Sequence, residues 1–120
     1  MRFRFPASAR LKRKSEFEAV RARGARHRGR WLVLNEWHGA PGEGRKLGII
    51  TTRKLGGAVA RNRTRRLVRE VFRLNQHRLV PGCHLVVIVR PEAVGKTCAS
   101  VEKDFLDLCR RAGILDKKTT

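Results

Sequence analysis

The chain of 120 residues has the length of one domain, and its 29 Lys and Arg against 10 Asp and Glu give a formal net charge of +19. So large a positive excess makes the folded chain repel itself and favours a polyanionic partner, for which nucleic acid is the first expectation. No apolar segment reaches the roughly 18 residues that span a bilayer, which excludes anchoring by insertion. We expect a single domain over residues 1–120, with flexible tails at 1–9 and 116–120.

Cysteines and histidines are too scattered to predict a metal site. Cys83, Cys98 and Cys109 show neither a CxxC pair nor another metal-ligand spacing, and the four histidines have no second ligand at helical distance. We therefore expect no metal bound by the protein. We also expect buried, reduced thiols in a cytoplasmic protein.

The first predicted element is a helix over Ser15–Arg23. Phe17 and Val20 lie three residues apart and form one apolar face, which Leu11 joins from upstream. Gly24 ends the helix.

Two strands joined by a loop are predicted next. The segment RWLVLNEW, Arg30–Trp37, has the aliphatic and aromatic residues typical of a strand, and the Gly- and Pro-rich segment His38–Gly44 predicts a loop. The second strand, Lys46–Thr52, ends at the glycine-containing segment Arg53–Gly57. Two strands separated in this way predict a hairpin.

An arginine-rich helix follows over Ala58–Arg73, AVARNRTRRLVREVFR. The helical period places its apolar residues on one side and most of its arginines on the other. The apolar side consists of Thr64, Leu67, Val68, Val71 and Phe72, and the opposite side consists of Asn62, Arg66, Arg69 and Arg73, with Arg65 beside them. Residues 53–78 contain nine Lys or Arg and one acid, Glu70. Because a merely solvated face would mix both signs, this pattern favours binding of a polyanion.

The last third of the chain predicts a strand and a helix. The apolar run HLVVIV, His84–Val89, lies between turn residues and predicts a central buried strand. The final helix is predicted over Ser100–Leu115, with Ser100 at its N-cap and Glu102 and Asp104 in its first turn. The order of elements predicts an α+β sandwich of helices against one sheet.

One motif and its surroundings point to a known family. Arg61, Asn62 and Arg63 are preceded by TTRKLGGAVA and followed by TRRLVREVFR. With RLKRKSEF at Arg10–Phe17, RKLGIITTRK and VVIVRP, they occur in the order found in the bacterial ribonuclease P protein subunit. The sequence therefore resembles that family over most of its length.

This resemblance implies an αβββαβα fold, like that of the second domain of ribosomal protein S5. Helices would pack on one mainly antiparallel sheet, and the arginine helix would lie in a left-handed crossover, which is an exception to the usual rule. The implied activity is endonucleolytic removal of the 5′ leader from precursor tRNA. In that family the RNA subunit carries the chemistry with Mg²⁺, so the implied partners are the catalytic RNA and precursor tRNA, with neither DNA nor a membrane. No cluster of carboxylates suggests a catalytic residue in the protein itself.

The resemblance also implies which residues touch RNA. Those expected to contact the catalytic RNA are Arg53, Lys54, Arg61, Asn62, Arg63, Arg65, Arg66 and Arg69. The single-stranded leader would lie in a cleft between the first helix and the open face of the sheet, lined by Arg10, Lys12, Phe17, Trp31 and Val33. The strand period of two places Trp31 and Val33 on one side.

For Phe17 and Trp31, ordinary core packing is an equal alternative to stacking on a leader base. The sequence also departs from the family pattern at this cleft. Val20 and Arg21 occupy positions where many members carry an aromatic residue, and the chain contains no tyrosine. We therefore expect leader contacts of more ionic character.

Two other classes of protein share part of this pattern. A ribosomal protein or another protein that binds structural RNA would have the same charge. A helix-turn-helix DNA-binding protein is disfavoured, because a strand and glycines, not a short helix, precede the arginine-rich helix.

Overall fold

The computed structural model describes residues 10–11, 13–38 and 44–115. Within these ranges the chain forms three α-helices and four strands in the order αβββαβα. They are α1 (Lys14–Arg23), β1 (Ala25–Arg28), β2 (Leu32–His38), β3 (Lys46–Ile50), α2 (Ala58–Asn75), β4 (Cys83–Val89) and α3 (Cys98–Ala112). The predicted tails at 1–9 and 116–120 lie outside the described residues. None of the described helices combines the length and the apolar character needed to cross a membrane.

β4 is an interior strand of the sheet, whose order is β1-β2-β4-β3. It pairs antiparallel with β2, where Ile88 lies opposite Val33, and parallel with β3, where Val86 lies opposite Gly48. Nearly all of its residues are buried, because helices cover both faces of the sheet. This confirms the central strand that the apolar run predicted.

β2 and β3 do not form the predicted hairpin. β4 lies between them, and each strand pairs with β4. The parallel pairing of β3 with β4 requires a crossover connection, which contains α2. The hairpin prediction was wrong because a wholly apolar strand must be buried on both faces, and the position that meets this need lies between the two strands that precede it in the chain.

Helices cover both faces of the sheet. On one face, Phe72 of α2 and Phe105 of α3 are buried with Val87 in the main core. On the other face, Val20 of α1 packs in a smaller cluster with Val86. Successive residues of β4 therefore serve opposite layers. The arrangement confirms the α+β sandwich on one mainly antiparallel sheet, and the left-handedness of the crossover stays a prediction.

β1 is a short edge strand that the residue pattern did not reveal. It pairs antiparallel with β2, where Ala25 lies opposite Glu36 and Arg28 lies opposite Val33. Its sequence, ARHR, lacks alternating apolar residues, and its side chains are mostly exposed. Only the family resemblance, which implied three strands after the first helix, included it.

The N-cap of α3 is Thr97 and not Ser100. The Thr97 Oγ1 accepts the N–H of Ser100 at 3.2 Å, so Ser100 lies inside the first turn. Glu102 and Asp104 consequently lie beyond that turn, where the helix dipole has little effect. Glu102 instead accepts a hydrogen bond of 2.8 Å from the amide of Asn75. The predicted cap and the predicted role of both acids were therefore wrong.

The cysteines are free thiols. Cys83 and Cys109 are buried as predicted, whereas Cys98, in the first turn of α3, is only half-buried. Burial raises the pKa of all three thiols, and it raises that of Cys83 to about 11. Cys83 and Cys109 are therefore protonated at neutral pH.

Candidate nucleic-acid interface

The N-terminal half of α2 is positively charged. Gly57 is the N-cap and offers no side-chain cap, and the first turn contains no acidic residue. The initial backbone N–H groups and the positive end of the helix dipole therefore add to the charge of Arg61 and Arg63. This end of α2 attracts anions.

The eight residues predicted to contact the catalytic RNA lie on α2 or on the short 3-10 turn Arg53–Leu55 that leads into it. The exposed ones are Arg53, Lys54, Asn62, Arg63 and Arg66, and the half-buried ones are Arg61, Arg65 and Arg69. The structure therefore brings this set together around one helix. Contact of these residues with RNA stays a prediction.

The acid of α2 neutralises one arginine at the far end of the helix. Glu70 Oε2 accepts a hydrogen bond of 3.0 Å from Arg73 Nε, and this bond lowers the pKa of the Glu70 carboxyl. Arg61, Arg63 and Arg66 form no salt bridge with a described residue. The first half of α2 therefore keeps its charge.

Asn62 helps to position Arg65. Arg65 Nη1 donates to Asn62 Oδ1 at 3.4 Å, and Nη2 donates to Thr51 Oγ1 just after β3. The guanidinium of Arg65 is thereby held against the edge of the sheet. The NH₂ group of Asn62 donates a hydrogen bond to no described residue, so it can donate one to a ligand.

Arg10, from the segment before α1, meets two arginines of α2 in a pocket beside β3. Arg10, Arg65 and Arg69 line this cavity of about 210 Å³ together with Phe17 and Gly48. Burial and the repulsion from Arg10 and Arg65 lower the pKa of Arg69. No acidic residue lines the pocket among those described. A bound anion would relieve the repulsion between these like charges.

Arg10 reaches this pocket because the chain before α1 runs along β3. Arg10 forms a parallel bridge with Leu47, and the Leu11 N–H donates to the Leu47 carbonyl at 3.0 Å. The predicted leader-binding residue Arg10 is thus placed beside arginines predicted to bind the catalytic RNA.

Phe17 approaches the same pocket from α1. A Cβ built on Gly48 would lie 2.5 Å from Phe17 Cε1, so the ring rests directly on the strand backbone. The side chain is half-buried and packs against Leu11 and Val20. Phe17 therefore belongs partly to the core and also lines an open pocket, and its stacking on a base stays a prediction.

Trp31 lies on the opposite side of the sheet from Phe17. It precedes β2, packs against the main core and lines a pocket with Lys103 and Asp104 of α3. Its placement in the cleft beside α1 was therefore wrong. The period of two failed because β2 begins only at Leu32, so Trp31 belongs to a turn and not to the regular strand.

Val33 does lie on the predicted face, since it pairs with Ile88, which packs in the cluster under α1. However, it is only 4% exposed, so it offers a leader almost no surface. Lys12 lies outside the described residues. Of the predicted cleft, Arg10 and Phe17 are the residues that the structure brings together.

A second pocket beside α1 contains residues that the sequence had not assigned to the cleft. Its volume is about 400 Å³, and it is lined by Glu18, Arg21, Ala22, Arg26 and Asn35. Asn35 is 3% exposed, and its Nδ2 has no partner among the described residues. A buried donor without a partner costs roughly 1–3 kcal/mol of folding free energy, so a ligand or a water molecule that accepts its hydrogen bond would remove this cost. The sequence feature that could have revealed this pocket was an amide in the middle of an apolar strand.

Metal ligands do not converge in the described ranges. No group of three His, Cys, Asp or Glu residues there could hold a metal ion. What these ranges do present is a set of cations, a half-buried aromatic ring and amide groups. Such groups bind and orient a polyanion.

Comparison with known sequences decides the family. The family model described as Ribonuclease P matches residues 5–113. The chain belongs to this family. It is 38% identical over 113 residues to the ribonuclease P protein component of Chloroflexus aurantiacus, with 92% of this chain and 82% of the relative covered. The ribonuclease P protein component of Brevibacillus brevis is 34% identical over 111 residues, with 90% and 86% covered.

Solved structures of ribonuclease P proteins share the fold. The RNase P protein from Thermotoga maritima matches with a TM-score of 0.76 at 29% identity, over 85% of this chain and 96% of that one. The Staphylococcus aureus RNase P protein matches with a TM-score of 0.81 at 24% identity, over 90% and 98%. These matches confirm the predicted fold and the family resemblance.

Proposed function

We propose that this member of the ribonuclease P family binds the catalytic RNA and the 5′ leader of precursor tRNA, and so supports endonucleolytic removal of the leader. The observation that carries the proposal is the meeting of Arg10, Arg65 and Arg69 beside Phe17. Side chains expected to contact the catalytic RNA and side chains expected to contact the leader line one pocket. A single surface can therefore touch both RNAs where they approach each other.

The catalytic RNA binds along the first half of α2 and the turn before it. Arg61, Arg63 and Arg66 present planar guanidinium groups, which bind phosphate oxygens bidentately. Arg53 and Lys54 extend this surface upstream of the helix. Because these cations form no salt bridge with a described residue, RNA phosphates relieve their mutual repulsion.

The leader passes along α1. A base stacks on the half-buried ring of Phe17. This contact tolerates any base, because stacking needs only an aromatic face. Arg21 and Arg26, with the unpartnered amide of Asn35, supply polar contacts in the second pocket. This fits the ionic character expected for a chain without tyrosine at the cleft.

Mg²⁺ supplies the charge stabilisation that phosphodiester hydrolysis needs, and it prefers oxygen ligands. We assign its binding to the phosphates of the catalytic RNA and the substrate, because the described residues of the protein form no metal-ligand cluster. The protein side chains bind and orient the two RNAs. A ribonucleoprotein of this kind acts in the cytoplasm, where precursor tRNA is made.

Reconstitution tests the proposal. The purified chain is added to a bacterial ribonuclease P RNA at low Mg²⁺, and cleavage of precursor tRNA is followed on a gel. We expect the chain to restore cleavage that the RNA alone performs poorly under these conditions. A ribosomal protein would not stimulate cleavage, and that outcome, or cleavage by the chain without RNA, would contradict the proposal.

The leader contact is tested separately with Phe17→Leu, which keeps the apolar packing and removes the aromatic face. The affinity of the reconstituted enzyme for precursor tRNA is compared with its affinity for mature tRNA. We expect the ratio of the two affinities to fall by roughly five- to a hundredfold, as for the loss of one stacked base. An unchanged ratio would show that Phe17 serves the core alone.

A further inference from the structure

A second basic surface surrounds Trp31, beside the turn that precedes β2. Trp31 is half-buried and lines a pocket of about 450 Å³ with Lys103 and Arg111 of α3. Arg30 Cζ lies 5.7 Å and Lys96 Nζ lies 4.7 Å from the centroid of its ring. The turn connects β1 and β2, whereas the pocket of Phe17 lies at β3, at the other edge of the sheet. The two surfaces are therefore separate.

Cations outnumber the available acids around Trp31. The Asp104 carboxylate accepts three backbone N–H groups, and Asp107 Oδ2 is paired with Arg111 Nε at 3.4 Å. The cations that form no salt bridge with a described residue are Arg28, Arg30, Lys96 and Lys103. Because both acids already have partners, the surface keeps a net positive charge, which favours a polyanion.

The turn that carries Trp31 is held in place from α3. Asp104 accepts the backbone N–H of Arg30 at 3.0 Å, of Trp31 at 2.8 Å and of Leu32 at 3.0 Å. The approach is so close that a Cβ on Gly29 would lie 2.7 Å from each carboxylate oxygen. The ring is thus presented on an ordered turn, which reduces the entropy lost when a ligand binds.

We propose that this surface binds a single-stranded segment of RNA, with one base stacked on Trp31 and the neighbouring phosphates held by Lys96, Lys103 and Arg30. An aromatic ring flanked by cations is the chemistry that recognises single strands, because bases within a duplex are already stacked. The exposed Lys96 ammonium moves from the ring to a phosphate as the base arrives. The inference goes beyond the proposed function, since α2 and Trp31 would engage two different RNA segments at once.

The fluorescence of Trp31 reports directly on this contact. The chain has two tryptophans, so Trp37→Phe leaves Trp31 as the single emitter. The full-length variant is titrated with a short oligouridylate at low salt, and we expect saturable quenching. In the same background, Lys96→Gln and Lys103→Gln should each weaken binding severalfold and reduce the slope of log K against log salt by about 0.7. Arg110→Gln removes an exposed cation of α3 that does not line the pocket, and it should preserve both the quenching and the slope.

Three outcomes would overturn the proposal. They are oligouridylate binding without any quenching of Trp31, equal weakening by Lys103→Gln and Arg110→Gln, and equal quenching by a blunt-ended RNA duplex.

A second measurement does not need the Trp37→Phe background. Photocrosslinking of 4-thiouridine RNA to the unaltered chain should label the peptide that contains Trp31, and labelling confined to α1 and α2 would also overturn it. Arg66→Ala should leave the quenching intact, which separates this inference from the proposed contact at α2.

Discussion

The ring of Phe17 lies directly over Gly48, so closely that a Cβ on residue 48 would be 2.5 Å from Cε1 and 2.6 Å from Cζ. This contact joins α1 to β3 at the pocket that Arg10 and Arg69 share. Gly48 is needed there for its missing side chain, because the residue lies in a regular strand. The pocket and the packing of α1 thus depend on the same position.

Gly48→Ala should therefore displace the Phe17 ring and destabilise the chain. We expect a loss of about 1–3 kcal/mol in the free energy of unfolding, as for other overpacked positions. Denaturant titration measures it. Gly44→Ala is the matched control, since no atom lies within 4 Å of a Cβ built there. Equal stabilities of the two variants would show that the Phe17 ring moves aside without cost.

Arg66→Ala and Arg69→Ala should weaken binding to the catalytic RNA and make it less sensitive to salt. Each lost phosphate contact reduces the slope of log K against log salt by roughly 0.7 to 0.9. Filter binding over a range of salt concentrations gives this slope. Arg110→Ala on α3 serves as the control, because its cation lies next to Asp107. Unchanged slopes for both α2 variants would remove these residues from the interface.

Asp104→Asn should destabilise the turn before β2. The carboxylate accepts the N–H groups of Arg30, Trp31 and Leu32, and the amide can offer only one oxygen to them. We expect a loss of about 1–3 kcal/mol in the free energy of unfolding, measured by denaturant titration. Asp107→Asn, on the exposed side of the same helix, should change it by less than about 0.5 kcal/mol. Similar losses for both variants would refute the role of Asp104.

Stability should fall as the pH rises above about 9. Burial raises the pKa of Cys83 in the folded chain from 9.0 to about 11, so the unfolded chain loses this proton first. The stabilisation that comes from this buried thiol is fully present below the pKa of Cys83 in the unfolded chain. It is lost as the pH rises through the pKa of Cys83 in the folded chain. Its size is on the order of 1–3 kcal/mol.

Unfolding of the unaltered chain and of Cys83→Ala at pH 8 and at pH 10.5 isolates this contribution. The cavity left by the substitution lowers stability equally at both values, so the difference between the two losses belongs to the thiol. We expect the unaltered chain to lose more stability with rising pH than the variant. Parallel losses would show that Cys83 titrates alike in both states.

Local sequence patterns were sufficient to predict the elements in which each face keeps the same environment, buried or exposed, from one end to the other. The segment Ala58–Arg73 alternates apolar and cationic sides with a helical period, and the observed α2 begins at the same residue. Similarly, the apolar run in β4 required burial on both faces and lies inside the sheet. In both cases the residues themselves carry the signal, because hydrophobic burial depends on side chains that recur with the period of the element.

Pairing partners and polar caps could not be predicted in this way. β1 is held by backbone hydrogen bonds to β2 and has no apolar pattern of its own. The acid Asp104 was expected to act within its own helix, but its hydrogen-bond partners lie more than seventy residues earlier in the chain. Hydrogen bonds between distant segments leave no periodic trace in a sequence, since each needs only one donor and one acceptor.

The sequence alone was enough to predict three features. These are the cationic first half of α2, the apolar side of that helix and the family to which the chain belongs. All three could be predicted because charge and helical period are properties of neighbouring residues. The tertiary structure determines which cations line the same pocket. Arg10, Phe17 and Arg69 come from three separate segments and meet only because β3 lies at the edge of the sheet between α1 and α2. Folding also moved Trp31 to the face of α3, since the chain turns before β2 and the three N–H groups of that turn find their acceptor in Asp104.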